Sequence, residues 1–227
     1  ALKPLVLGSD PLSTEVLWYR MYHQSRDYGR KGSVIAGISA IDMALWDIAG
    51  QYYGVPVHQL LGGAFRTQVQ PYATGFYRIG GQGESARLAD EALAHHAAGF
   101  RLMKVKLGYG VDDDKVVLSA IAKAVQGMGV TLMVALAQAN GIEVNPHVWG
   151  SAIAQAASLQ VIAALPVAHH SVFPRAPVLE YDRSLHPFRR ELVAEPIELE
   201  NGLVSIPQKP GLGINVRRET IERYRIN

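Results

Sequence analysis

The spacing of apolar positions divides the chain into two regimes. In the first sixty-odd residues the period is helical. Ile38, Ile41, Leu45 and Ile48 recur every three or four residues, which predicts an amphipathic helix ending near Gly50 or Gly54. Asp10-Pro11 reads as a cap followed by a proline-opened helix over 10–26, with Leu17 and Met21 on its buried face. Gly62-Gly63 then breaks the chain, and no strand pattern precedes it.

From Val69 short apolar runs alternate with helical periods. Val69–Thr74 predicts a strand, although Pro71 argues against a central place in a sheet. A helix over 84–98 closed by Gly99, a strand over 102–107, a helix over 112–125 and a strand over 131–134 follow. This order, with short connections, predicts an α/β chain with a parallel sheet or a (β/α) barrel. Residues 142–145 and 178–181 read as further strands, and 151–165 as a long apolar helix between them. From Pro187 frequent Pro and Gly predict an irregular wrap ending in a short helix over 218–224.

One join is anomalous. Val134 passes into Ala135-Leu136-Ala137-Gln138-Ala139-Asn140-Gly141 without a turn residue or an N-cap. The helical piece spans about 9 Å, whereas a strand of five or six residues needs about 17–20 Å of return. Five strands at most are legible, and a closed eight-unit barrel needs roughly 200 residues or more. The expectation is a partial barrel with the suspect join at Val134/Ala135. If a segment is absent there, strands 142–146, 178–181, 69–74, 102–107 and 131–134 should lie in one arc, with 131–134 and 142–146 on opposite sides and unpaired. A true miniature would instead pair 131–134 with 142–146.

Composition narrows the function classes. Of the 227 residues, 48% are hydrophobic and 19% charged, as in a globular protein. The 22 basic and 20 acidic residues leave a net charge of +2, which points to neither nucleic acid nor an acidic membrane surface. The lack of Cys excludes disulfide scaffolds, thiolate nucleophiles and Cys-ligated zinc. No apolar run is read as approaching the roughly 20 residues of a membrane span, and residues 1–8 lack a signal-peptide pattern. Without an initiator Met the chain is expected to be cut or to begin late. A cytoplasmic protein and a homo-oligomer are expected.

Three places could carry chemistry. Lys104 and Lys106 lie two apart in a predicted strand, so both side chains share one face about 6.5–7 Å apart. Two ammonium groups that close repel, which suits one of them to act as a base; the bland alternative is a pair of solvated lysines. His147, in Asn145-Pro146-His147-Val148-Trp149-Gly150, stands where a strand gives way to a helix. It is a candidate base or a helix cap. Glu180, in Pro177-Val178-Leu179-Glu180-Tyr181-Asp182, is a candidate general acid or donor to a developing oxyanion, or else an exposed carboxylate. The adjacent His95-His96 make no metal pair, and His169-His170 read as a solvated loop pair. Asp112-Asp113-Asp114 read as helix-dipole partners, and Trp46, Tyr52 and Tyr53 as core or interface aromatics.

Taken together the chain resembles the mandelate racemase/muconate lactonizing group of the enolase superfamily, nearest to its sugar-acid enzymes. The resemblance rests on 37–47 (Gly-Ile-Ser-Ala-Ile-Asp-Met-Ala-Leu-Trp-Asp), Leu60-Leu61-Gly62-Gly63, Pro71-Tyr72-Ala73-Thr74-Gly75, Lys104-Val105-Lys106-Leu107-Gly108, Pro146-His147-Val148-Trp149-Gly150, Glu180-Tyr181-Asp182 and Pro210-Gly211-Leu212-Gly213. It implies a modified (β/α) barrel under an α+β capping domain. Residues 1–66 would be the helical part of the cap, 67–185 a partial barrel and 186–227 the return to the cap. The implied chemistry is Mg²⁺-assisted abstraction of the proton α to a carboxylate, as in a cycloisomerase, dehydratase or racemase acting on a sugar acid or its lactone. Lys106 matches the base and Lys104 its carboxylate-binding partner. His147 matches the base on the opposite face, and Glu180 the acid that hydrogen-bonds the substrate carboxylate. The family's metal carboxylates have no counterpart: Ala135 stands where the first is expected. Strands four to six of the barrel and the first strands of the cap are expected to be missing. The competing expectation is a short scaffold that serves as a non-catalytic interaction module.

Overall fold

The computed structural model describes residues 2–28, 31–80, 83–134, 148, 150–165 and 176–225. The helical region comprises α1 (Lys3–Val6), α2 (Thr14–Gln24), a 3₁₀ turn (Arg26–Tyr28), α3 (Ser33–Tyr53) and α4 (Val57–Leu60). Next come β1 (Gln68–Val69), β2 (Pro71–Thr74), α5 (Ser85–Ala97), β3 (Leu102–Val105), α6 (Val111–Ala124) and β4 (Thr131–Val134). Then follow α7 (Ala152–Ala164), β5 (Leu179–Asp182), α8 (Pro187–Arg190), β6 (Leu199–Glu200), β7 (Leu203–Ser205) and α9 (Arg218–Arg223).

Two expectations about the helices are corrected. Asp10 does not cap a helix: its Oδ1 accepts the Leu12 N–H at 2.9 Å in a turn, and α2 starts at Thr14. α3 runs for 21 residues to a left-handed Gly54 and is long and apolar enough to cross a membrane, by length and composition only. Within the fold one stripe of it is buried. Ile38 and Leu45 pack on Leu17 and Met21 of α2, and Gly50 lies against Gly211 of the C-terminal segment. Tyr52 and Tyr53, read as core or interface aromatics, are exposed at its last turn and so are not core.

The central sheet is parallel, in the order β4-β3-β2-β5. That is the arc expected for a barrel with a missing segment, as far as four strands go; 142–146 and the Val134/Ala135 join lie outside the described residues. Pro71 was expected to keep β2 off a central position, yet β2 pairs with both β3 and β5. As the first strand residue, the proline leaves later ladder bonds intact. The predicted strand 69–74 is in fact two. β1 joins β7 antiparallel in a small second sheet with β6, and β2 joins the parallel sheet. The hairpin β6–β7 turns at Asn201-Gly202, both with positive φ (52° and 81°). Asn-Gly is a strong hairpin signal within the wrap read as irregular.

Alternation decides what each sheet face does. Ala73, Met103 and Val105 face outward into a core with Leu88 and Ala92 of α5 and Val117 and Ile121 of α6. Leu179 joins Leu159 and Ile162 of α7. With period two, Tyr72, Thr74, Lys104, Glu180 and Asp182 take the other face. In register, Tyr72 stands beside Glu180, and Thr74 between Lys104 and Asp182.

Candidate active site

The inner-face polar groups converge at the C-terminal ends of the strands. Lys104 Nζ reaches across β2 to within 2.5 Å of Glu180 Oε1. Thr74 Oγ1 donates to the same oxygen at 2.9 Å, and the Val148 N–H donates to Glu180 Oε2 at 2.9 Å. The Glu180 side chain is fully buried, while that of Lys104 keeps 21% exposure, so the ammonium is the pair's accessible end. Burial, the strongest single influence, opposes ionisation of Glu180. Hydrogen bonds from Lys104, Thr74 and the Val148 N–H, with the charge of Lys104, outweigh it and hold the carboxyl below its ordinary pKa. Glu180 therefore accepts all three of these bonds. The expectation of a proton-donating acid does not match this arrangement, nor does that of an exposed carboxylate.

Tyr72 lies under this pair, with Lys104 Nζ 5.4 Å from its ring centroid. Burial, then the nearby Glu180 charge, pushes its phenol pKa well up. Asp182, one period beyond Glu180, is buried and pairs with Arg189 and with Ser184 Oγ, the latter at 2.7 Å. Arg189 also donates to the Gly150 and Ser184 carbonyls, at 3.2 and 3.1 Å. The sequence reading singled out neither Tyr72, Thr74, Asp182 nor Arg189. The two-residue step from Glu180 to Asp182 was the available signal for one of them.

Lys106 lies one residue past β3 and does not join the Lys104–Glu180 pair. Its Nζ sits 3.3 Å from the centroid of the Tyr77 ring. The two lysines therefore find separate partners and neither is simply solvated. His147 lies outside the described residues, as do His169 and His170; Val148, next to His147, is placed by its bond to Glu180. His95 is buried between Phe76 and Phe100.

Among the described residues no three His, Asp or Glu side chains gather as a metal site. Glu180 and Asp182 are each taken up by a cation, so this donor set does not fit a divalent ion.

Comparison with known proteins identifies the relationship. Residues 1–62 match the mandelate racemase/muconate lactonizing enzyme N-terminal domain, and 129–220 match the enolase C-terminal domain-like family. The chain belongs to the mandelate racemase/muconate lactonizing group of the enolase superfamily. Membership implies a divalent metal. A D-galactarolactone cycloisomerase of Agrobacterium fabrum is 28% identical over 311 residues, covering 97% of this chain and 82% of the relative. That span exceeds the 227 residues of this chain, so positions inside it have no counterpart here. An arabinonate dehydratase of Saccharolobus solfataricus is 41% identical over 125 residues, 55% of this chain but 33% of the relative. The crystal structure of 3,6-anhydro-D-galactonate cycloisomerase from Zobellia galactanivorans superposes with a TM-score of 0.83 at 28% identity, covering 99% of this chain and 85% of that one. This superfamily member thus resembles sugar-acid cycloisomerases and dehydratases.

Proposed function

We propose that the protein abstracts the proton α to the carboxylate of a sugar acid or its lactone, the step that cycloisomerisation, β-elimination and racemisation share. The observation that carries the reading is the Lys104–Glu180 pair at the strand ends, with Lys106 two residues on and held against the Tyr77 ring. Glu180, ionised and buried, anchors Lys104. Lys104 offers its remaining N–H groups to the substrate carboxylate. Lys106 is the base: the α C–H bond breaks, its proton passes to Nζ, and the electron pair stays on the substrate, spread into the carboxylate. His147 is the base for the opposite face.

In this reading residues 1–66 form the helical part of a capping domain, 67–185 part of a (β/α) barrel and 186–227 the return to the cap. The family's metal is Mg²⁺, held by strand ends that the sequence passes over at Val134/Ala135. The 311-residue span of the cycloisomerase alignment supports such a gap.

The test is hydrogen exchange. The full-length protein is incubated in D₂O with Mg²⁺ and a panel of acid sugars and lactones, and the α-proton signal is followed by NMR. Loss of that signal, abolished or slowed at least about a hundredfold in Lys106→Ala or His147→Ala, is expected. Exchange that is absent for every compound, or that survives both substitutions, would sink the reading.

A further inference from the structure

We propose that Tyr77 is the positioning residue for Lys106, and that a buried Arg78–Asp113–Asp114 latch sets it in place. The proposal rests on the reading of Lys106 as the base.

The loop after β2 is constrained at every step toward Tyr77. Phe76 adopts φ +56°, a left-handed conformation that a bulky side chain disfavours. Such strain persists only where the surroundings over-determine it, and it collects at functional sites. The surroundings here qualify. The Phe76 ring is fully buried, and its N–H donates to Glu91 Oε1 at 2.7 Å. A Cβ at the preceding Gly75 would stand 2.5 Å from that same Glu91 oxygen and would make the carboxylate shift. The Tyr77 carbonyl accepts from Arg87 Nη2 at 2.6 Å.

The next residue ties this loop to the one carrying Lys106. The Arg78 side chain is fully buried, with Nη1 2.9 Å from Asp113 Oδ2 and Nη2 3.5 Å from Asp114 Oδ1. Asp114 also accepts the Gly108 and Tyr109 N–H groups at 2.9 and 3.4 Å, just beyond Lys106. Asp113 accepts the Gly83 N–H at 2.8 Å. One carboxylate thus grips both the arginine behind Tyr77 and the backbone beyond Lys106. These aspartates do more than face the dipole of α6, the role read for them from sequence.

The consequence is the 3.3 Å contact between the Tyr77 ring and Lys106 Nζ. An aromatic face attracts an ammonium and not a neutral amine. The contact is therefore strongest once Lys106 has taken its proton, which is when an interaction accelerates a reaction rather than merely binding. The ring also fixes Nζ without exchanging a proton with it. Tyr77 remains 37% exposed.

The test reads the contact without catalysis. Lysines of the 227-residue chain are dimethylated reductively with ¹³C-formaldehyde, which keeps them cationic, and the Lys106 signal is assigned with Lys106→Arg. A ring-current shift to high field is expected for Lys106. Tyr77→Phe should keep it, Tyr77→Leu abolish it, and Arg78→Gln reduce it by half or more while backbone amide signals elsewhere stay in place. An unshifted Lys106 signal in the unsubstituted chain overturns the contact, and a full shift in Arg78→Gln overturns the latch. In the full-length enzyme kcat should fall about tenfold or more in Tyr77→Leu and recover in Tyr77→Phe. If the shifts behave as expected but Lys106→Ala still exchanges the α-proton, the base assignment has failed and the positioning contact stands.

Discussion

Lys104 and Glu180 stand 76 residues apart in the chain and two strands apart in the sheet, yet their charged atoms lie 2.5 Å from each other. The side chain of Lys104 bridges the central strand β2, passing over Tyr72 and meeting the oxygen that Thr74 also holds. This pair ties three strand ends together on the face where the chemistry is proposed.

Breaking it from one side should be costly. Lys104→Met takes the ammonium away from a buried carboxylate and should cost about 3 kcal/mol. Glu180→Gln keeps hydrogen bonding and should cost about 1–2 kcal/mol. The double substitution Lys104→Met/Glu180→Leu should recover much of the loss. Urea unfolding of the four proteins gives the coupling; additive losses would contradict a paired role.

Acid should weaken the fold over a defined window. Glu84 is held down to about 2 by its bond from Arg87 and by the Gly80 and Ile79 N–H groups, against an ordinary value of 4.5. Glu180 is lowered in the same direction. A folded-state pKa below the unfolded one contributes stability that is complete above pH 4.5 and is lost as pH falls toward 2. Stability measured from pH 6 to 2.5 should decline below about 4.5. Glu84→Gln should flatten that decline, and an unchanged slope would exclude Glu84 as a contributor.

Two glycines of α3 should respond oppositely to alanine. A Cβ at Gly50 would stand 2.6 Å from Gly211 Cα and 2.8 Å from the Val55 carbonyl, both backbone. Gly50→Ala should therefore cost about 2 kcal/mol or more. A Cβ at Gly37 would meet only the end of Leu2, at 3.3 Å, so Gly37→Ala should gain up to about 1 kcal/mol from helix propensity. Thermal unfolding distinguishes the two.

A buried polar junction should hold the C-terminal segment. Gln160 Oε1 accepts the His58 N–H at 3.0 Å and lies 2.8 Å from His58 Nδ1, while Nε2 donates to the Pro207 and Leu212 carbonyls at 2.9 and 3.3 Å. Gln160→Leu orphans these groups and should cost about 2–3 kcal/mol. Limited proteolysis should then cut after 206 sooner than in the unsubstituted chain; equal cutting would argue against the junction.

Much of the architecture was legible in the sequence because period alone sets which face a residue takes. The three- and four-residue spacing from Ile38 to Ile48 sufficed for α3, and the two-residue alternation put Lys104 opposite Met103 and Val105. The expectation of a shortfall in strands rested on chain length, independently of any relative. Asn201-Gly202 was legible too, but lay within a stretch read as irregular. Period says nothing about which strand lies next door, and there the tertiary structure decided. Parallel pairing on both sides of β2 overrode the local warning of Pro71. It brought Lys104 to Glu180 across 76 residues, and this contact, with those of Thr74 and Val148, ionised a carboxylate read as an acid or an exposed group. The left-handed Phe76 is likewise invisible in sequence, since no local preference of phenylalanine favours it. It is held by Glu91 and a buried ring, contacts that exist only once α5 has packed on the sheet.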